Sequence, residues 1–330
     1  MTSTGRDVAR AAGVSVATVS RAFSETGAVS ENTRRRVLTE ARRLGYSPNP
    51  AARRLITGRS GNIGLVVPDL ANPFFADIIK GVQRSAREAR YAILVADTDE
   101  QARLEGDALR SLARQVDGVI LASPRSALED LPDDLNIPIV LIHRQEPGWW
   151  SVSADFGEGM RQALVNVRAL GHHHVAYAAG PPQSWSGGMR TASLRKNAAE
   201  LGVELYELGS VAPTIDGGLA AADLALATPA TALIAYNDVV ALGAMRRFGA
   251  RGVDVPGDMS VVGCDNTMLS LLAVPSLTTV DVPRFEAGEA AVALLLRTLA
   301  DADATSVEQV LTTALVIRGT TAPPRQSERG

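Results

Sequence analysis

Between residues 61 and 321, short apolar runs alternate with amphipathic helical segments, and this alternation limits the folds open to the chain. The runs are Ile63–Val67, Ala92–Ala96, Gly118–Leu121, Ile139–Ile142, Val175–Ala179, Leu233–Tyr236, Val261–Cys264 and Leu311–Ile317. Helical patterns such as Phe75–Arg90, Gly157–Leu170 and Val239–Phe248 lie between them. Strands that alternate with helices build parallel, doubly wound sheets. About 260 residues exceed what one such sheet holds, so the body is expected to form two lobes. Ligands of open α/β sheets sit beyond the carboxyl ends of the strands, here between the lobes.

The first sixty residues follow a different pattern. Through Arg59 there are eleven arginines and no lysine against four acids, a net of +7. The remainder holds 22 basic and 32 acidic side chains, a net of −10. A small basic head on a larger acidic body suits nucleic-acid binding, although a solvated basic helix surface has the same composition. The head reads as three short helices. Val8, Ala9 and Ala12 make the apolar face of the first, and Gly13 stops it. Ser15 caps the second, VATVSRAF, in which Val19 and Phe23 are four residues apart. The third begins after Ser30, buries Val37, Leu38, Ala41 and Leu44, and ends at Gly45. Two short helices joined by a Gly-containing turn have the helix-turn-helix layout.

Other classes find little support. No run of about 18 apolar residues is present to span a membrane, and the N-terminus lacks a basic-then-apolar leader, so a cytoplasmic location is expected. A lone cysteine, Cys264, excludes an intramolecular disulfide and a multi-cysteine zinc site. His172–His174 are adjacent, so on a strand they cannot all face one ion. The chain carries no HExxH, GxSxG elbow, P-loop or complete GxGxxG, and no metal, cofactor or catalytic constellation is expected.

The order AGVS-xATVSR, VSxxTRxRV, LGYxPN, AARxL and IGLVVPDLxNPFF resembles the N-terminal part of the lactose-repressor (LacI/GalR) family of bacterial transcription regulators, and the resemblance runs to about residue 321. It implies a helix-turn-helix head with a hinge helix (residues 1–58, hinge about 49–57). A periplasmic-binding-protein-like core of two doubly wound parallel-sheet lobes would follow, spanning 61–321. One lobe would comprise about 61–156 plus 284–310 and the other 157–281 plus 311–321, with 322–330 a disordered tail. The implied activity is repression by a homodimer on a near-palindromic double-stranded operator, under control of a small effector, as inducer or corepressor.

In the second helix, Val16, Ala17 and Arg21 stand where the family reads bases. Arg21 suits a guanine edge or a phosphate, and Thr18 and Ser20 suit phosphates. Thr4 and Ser15 complete the head's implied contacts. Gly5 departs from the family, where a bulky apolar residue is usual at the start of the first helix. In SPNPAARRLITG, Asn49 suits an N-cap and Pro50 a first helical position. The helix is too short to be stable alone. The resemblance makes Leu55 the wedge that enters the minor groove, beside the small Ala52, while Arg53 reaches phosphate. A linker that is disordered without operator fits the same residues.

In the body, Asn237, Asp238 and Asp265 follow strands, Arg190 follows the loop GPPQSWSGG, and Phe74 and Phe75 follow VVPDLANP. Such groups equip a site for a sugar, sugar phosphate or nucleoside-like effector. Asn237 and Asp265 could also be helix caps, and the two phenylalanines core. The resemblance moves Arg190, Asn237 and Asp265 toward effector contact. His143 stands where the family commonly has aspartate, with Arg144 next to it, and both join the candidate set. Trp185 is either a stacking platform or surface packing. VVGCDNT lacks an aromatic and an acid usual in the family, and Gly188 and Ser193 replace a usual arginine and glycine, so the effector's identity does not carry over.

Overall fold

The computed structural model describes residues 3–23, 29–46, 59–301 and 303–325. The chain divides into two compact units, Met1–Gly61 and Asn62–Gly330.

In the first unit, helices α1 (Gly5–Ala12), α2 (Val16–Ala22) and α3 (Glu31–Arg43) enclose a small core of Val8, Ala9, Ala12, Val19, Ala22, Val37 and Ala41. Glycine is a poor first helical residue, but the Thr4 N–H and hydroxyl both donate to the Asp7 carboxylate, at 3.0 and 2.7 Å, and fasten the start of α1. A Cβ on Gly5 would lie 3.1 Å from the Tyr46 hydroxyl, so the tyrosine occupies the space that a larger residue would fill. Gly13 ends α1 with φ +60°, a conformation glycine adopts without a Cβ clash. Ser15 Oγ accepts from the Thr18 N–H (3.1 Å) and Ser30 Oγ from the Thr33 N–H (3.3 Å), capping α2 and α3.

The second unit holds two six-stranded sheets. The first, in the order β11-β5-β4-β3-β1-β2, contains β1 (Asn62–Val67), β2 (Ala92–Asp97), β3 (Gly118–Ala122), β4 (Ile139–Ile142), β5 (Trp150–Ala154) and β11 (Glu308–Leu311). The second, in the order β12-β10-β9-β8-β6-β7, contains β6 (His174–Ala179), β7 (Glu204–Ser210), β8 (Ala232–Ala235), β9 (Ser260–Asp265), β10 (Thr278–Asp281) and β12 (Ala314–Val316). All pairings are parallel except that of β12 with β10. The helices between them are α4 (Pro73–Glu88), α5 (Ala102–Ala113), α6 (Phe156–Ala169), α7 (Trp185–Leu201), α8 (Ile215–Leu226), α9 (Asp238–Ala250), α10 (Met268–Leu272) and α11 (Arg284–Ala300). No helix among the described residues is long and apolar enough to cross a membrane.

The chain passes between the sheets near Asp155, at Val282–Pro283 and at Thr312–Thr313. The run expected as one strand, Leu311–Ile317, is therefore broken. Leu311 ends β11 in the first sheet, and β12 belongs to the second. Thr313 anchors the crossing by donating its hydroxyl to the Asp155 carbonyl (2.7 Å). Strands β5, β7, β10 and β11 escaped the apolar pattern because WSVSA, ELYELGS, TTVD and EQVL mix polar residues into short segments. The expected tail is also corrected in part. The Ala322 carbonyl lies 2.9 Å from His172 Nε2, and Arg325 pairs with Asp258 (2.6 Å) and Asp254 (2.9 Å), so the chain is fastened through Arg325.

Helices α4 and α11 cross closely in the first lobe. A Cβ on Gly81 would run into the Phe285 carbonyl oxygen, and one on Gly288 into the Ile78 carbonyl oxygen. The two glycines bring Arg284, the first residue of α11, beside Asp77 of α4.

Candidate functional site

Carboxyl ends of strands from both sheets converge on one cleft. One wall consists of Asn72, Phe74, Phe75, Glu100, Ser123 and Arg125. The facing wall consists of Ser186, Arg190, Pro213, Tyr236, Asn237 and Asp265.

Local structure explains these positions. Asn72 caps α4, accepting from the Phe74 N–H at 3.0 Å, and so turns Phe74 and Phe75 toward the cleft. Both rings are buried, so they serve core and cleft together. Asn237 Oδ1 accepts from the Val240 N–H (2.9 Å), which caps α9 and leaves the amide N–H₂ on the cleft side. Asp265 ends β9 at φ +132°, followed by Asn266 at +56°. Two consecutive non-glycine residues in this region are strained, and the turn aims the Asp265 carboxyl back at the cleft. Asp265 is not a helix cap.

Arg190 is the organising cation. Its guanidinium lies between the faces of Phe156 (4.5 Å) and Tyr236 (4.7 Å), and Nη1 donates to the Tyr236 carbonyl at 2.9 Å. Nη2 is 3.9 Å from Asp265 Oδ1, an ion-pair separation too long for a hydrogen bond. The pair therefore faces the cleft with a donor and an acceptor that a ligand hydroxyl can bridge. Burial and the neighbouring Asp238 push the Asp265 carboxyl well above the usual range, against Arg190 and Arg284. Asp238 lies behind it, fully buried, and accepts from the Thr267 N–H (2.7 Å), the Thr267 hydroxyl (3.0 Å) and the Thr279 hydroxyl (2.5 Å).

His143 sits below the cleft. It follows β4 at φ +57° and contacts Phe74 (5.4 Å between ring centres) on one side and Phe156 (5.1 Å) on the other. Neither ring nitrogen has a hydrogen-bond partner among the described residues. Burial, then Arg190 and Arg284, push the imidazole down to about 3, so it is neutral. Phe75, Phe74, His143, Phe156, Arg190 and Tyr236 thus form a continuous stack from one lobe to the other.

Two candidates lie elsewhere. Trp185 begins α7 one residue before Ser186, whereas Ser186 and Arg190, four apart, share the helix face that meets the cleft. Arg144 turns away after the left-handed His143 and reaches Glu146 (3.3 Å). The sequence reading passed over Asn72, Glu100, Ser123, Arg125, Ser186, Pro213 and Tyr236. Glu100 and Arg125 form a two-armed pair, Nε–Oε2 2.6 Å and Nη2–Oε1 3.0 Å, and Arg125 Nη1 donates to the Ser123 carbonyl. They follow β2 and β3, so the strand-end rule applied to DTDE and SPR would have found them.

In the head, Ser15, Val16, Ala17, Ser20 and Arg21 are exposed on α2 while Val19 and Ala22 are buried. Val16, an apolar residue at a helix N-terminus, is 49% exposed. Thr18 is half-buried, its hydroxyl 2.9 Å from Ser15 Oγ, and the Thr4 hydroxyl is engaged with Asp7. Asn49, Ala52, Arg53 and Leu55 lie outside the described residues.

The remaining reactive groups have structural surroundings. Burial pushes the Cys264 thiol up to about 12. His172 bonds Thr231, Ser260 and Ala322, whereas His174 lies beside Tyr206 and Glu204. Among the described residues no cluster of three or more His, Cys, Asp or Glu could hold a metal.

Comparisons with known proteins agree with this arrangement. Residues 4–49 match the lacI family of bacterial regulatory proteins, and residues 166–321 match a periplasmic binding protein-like domain. The transcriptional regulator DegA of Bacillus subtilis is 34% identical, with 87% of this chain and 89% of DegA covered. The ribose operon repressor of Halalkalibacterium halodurans is 33% identical over 98% of each chain. The crystal structure of the Lac repressor dimer bound to operator and an anti-inducer superposes with a TM-score of 0.85, at 28% identity, covering 98% of this chain and 100% of that one. A helix-turn-helix head, a two-sheet body with a cleft between its lobes and relatives matched along nearly the full length lead to one conclusion: the chain belongs to the lacI family of bacterial regulatory proteins and is a DNA-binding transcriptional regulator, not an enzyme.

Proposed function

We propose that the protein is a homodimeric repressor whose operator affinity is set by a small polyhydroxylated effector held in the cleft. The observation that carries this reading is the Arg190–Asp265 pair, buried at 3% and 2% exposure, facing the cleft 3.9 Å apart. Arg190 offers donors and Asp265 acceptors, while the faces of Phe74 and Tyr236 suit a ring. Arg190, Asn237, Asp265, Phe74 and Phe75 are its contacts in this reading, joined by Glu100, Ser123 and Arg125 from the other wall.

The exposed face of α2 reads the operator. Val16 and Ala17 meet base edges, Arg21 a guanine, and Ser15, Thr18, Ser20 and Thr4 the backbone. Asn49, Ala52, Arg53 and Leu55 form the hinge helix that enters the minor groove. Dimerisation is supported by α10, which exposes Met268, Leu271 and Leu272 beside Val274 at 95% exposure; apolar patches of this kind mark partner surfaces. The operator would be near-palindromic, matching the two-fold axis, and the protein would act in the cytoplasm.

Two measurements test the reading. Gel shifts against the gene's own upstream region, at stated salt because phosphate contacts are salt-dependent, should show a saturable complex that excess random DNA does not displace. Thermal shifts with a panel of monosaccharides, sugar phosphates and nucleosides should identify compounds that stabilise the protein and alter the complex. If a stabilising compound acts equally on Asp265→Asn, it does not bind this cleft.

A further inference from the structure

We infer that Arg284 is a positioning residue that couples the effector-facing strand end to the angle between the lobes. The inference rests on the proposed effector reading, but its own evidence is the geometry around one guanidinium.

Arg284 stands where the chain passes from the second sheet to the first, and it is 7% exposed. Its Nη2 donates to Asp77 Oδ2 on α4 in the first lobe (2.9 Å) and to the Asn266 carbonyl in the second lobe (3.1 Å). One nitrogen thus holds both lobes. Nε adds a second arm to Asp77 (3.3 Å), and Nη1 donates to the Val282 carbonyl in the crossover (3.3 Å). The guanidinium also lies 5.9 Å from the centre of the Phe74 ring in the cleft wall.

The second-lobe end of this connection is a taut segment. Asn266 follows Asp265, and both have positive φ. Its carboxamide is fixed on both sides, by a 2.8 Å bond to Asp281 and by Arg318 Nη2 at 2.5 Å. Its N–H donates to Thr279 Oγ1 at 3.3 Å. A group that draws Asp265 toward Arg190 pulls on the main chain entering Asn266, and a shift of that residue displaces its carbonyl. The carbonyl bonded to Arg284 then loses alignment, and hydrogen bonds weaken steeply with angle. Arg284 remains on Asp77, where the glycine-tight packing of α11 on α4 keeps it. Occupation of the cleft is thereby converted into release of a polar contact between the lobes.

The distance measurement needs neither effector nor operator, so it succeeds or fails independently of the effector reading. Cysteines placed at exposed Gln83 on α4 and Lys196 on α7 carry spin labels; native Cys264 is fully buried and does not compete. The interlobe distance distribution is measured for the full-length protein, for Arg284→Met, for Asp77→Asn and for the double variant, with folding checked by circular dichroism. Arg284→Met and Asp77→Asn should both broaden and shift the distribution in the same direction, and the double variant should go no further than Arg284→Met, because the two side chains act as one unit. On an operator fragment selected in vitro by the unsubstituted protein, both single variants should change affinity about fivefold or more, the lower end of ordinary allosteric coupling. A folded Arg284→Met protein with an unchanged distance distribution overturns the inference, as do independent, additive effects of the two substitutions. Asp77→Asn keeps the test decisive if Arg284→Met fails to fold, since Asp77 is 45% exposed and tolerates substitution more readily.

Discussion

Arg190→Met is the most informative single perturbation of the cleft. The substitution keeps an unbranched apolar stem but removes a guanidinium that is 3% exposed. Four contacts go with it: two stacked aromatic faces, at about 1 kcal/mol or more each when desolvated; a charged hydrogen bond to the Tyr236 carbonyl, about 1.5–3 kcal/mol; and the opposite charge beside Asp265. Methionine recovers part of the packing, so the expected loss is about 3–5 kcal/mol, as for other broken buried pairs. For a body of this size that lowers the melting temperature by roughly 10 °C.

The pH dependence is the sharper part. Asp265 already has a folded-state pKa raised by burial and by Asp238, opposed by Arg190 and Arg284. Removing Arg190 raises it further. A group whose folded pKa exceeds its unfolded value, about 3.9 for aspartate, favours the folded state at low pH, and that stability is lost as pH rises through the folded pKa. Above about pH 4 both proteins lose stability alike, so the deficit of Arg190→Met should grow only between the raised folded pKa of Asp265 in the parent and the still higher one in the variant. Melting curves from pH 5 to 8 check the trend. Asp265→Asn in the Arg190→Met background should recover about 2 kcal/mol and flatten the dependence. A loss below about 1 kcal/mol at every pH would refute the claim that these two side chains form a coupled buried pair.

Other substitutions probe the remaining parts. Arg21→Ala should cost about 1–3 kcal/mol of operator binding with much less effect on random DNA; a uniform loss in a competition gel shift would make it a phosphate contact. Ser30→Ala removes the cap of α3 and should lower head stability by about 1 kcal/mol, read from the thermal melt. Gly81→Ala drives a methyl group into the Phe285 carbonyl and should destabilise the first lobe by about 1–3 kcal/mol in urea titrations. Leu55→Ala should reduce operator affinity and DNA bending together in a circular-permutation gel shift; if both stay unchanged, the segment is only a tether.

Local chemistry alone made much of this protein legible. Ser15 and Ser30 before apolar-periodic segments, with Gly13 after one, mark the head's helices, because capping and the 3.6-residue period need no distant partner. The alternation of apolar runs with amphipathic helices announces two parallel sheets, and the strand-end rule reaches Asn237, Asp265 and Arg190. What tertiary structure decided involves groups far apart in sequence. WSVSA and EQVL become strands because a neighbouring strand accepts their hydrogen bonds, not because of their own composition. Leu311–Ile317 splits between sheets because Thr313 must reach Asp155. Glu100 and Arg125 become one side of the cleft only when β2 and β3 lie two places apart in one sheet, flanking β1. His143, an unusual residue in its segment, ends not among exposed contacts but in a stack of rings from Phe75 to Tyr236. Arg284, unremarked in the linear order, bridges Asp77 and Asn266 because a helix crossing closed by Gly81 and Gly288 holds it at the junction of the lobes. Residue type and spacing determine which local elements form; only the packed chain determines which charges face each other.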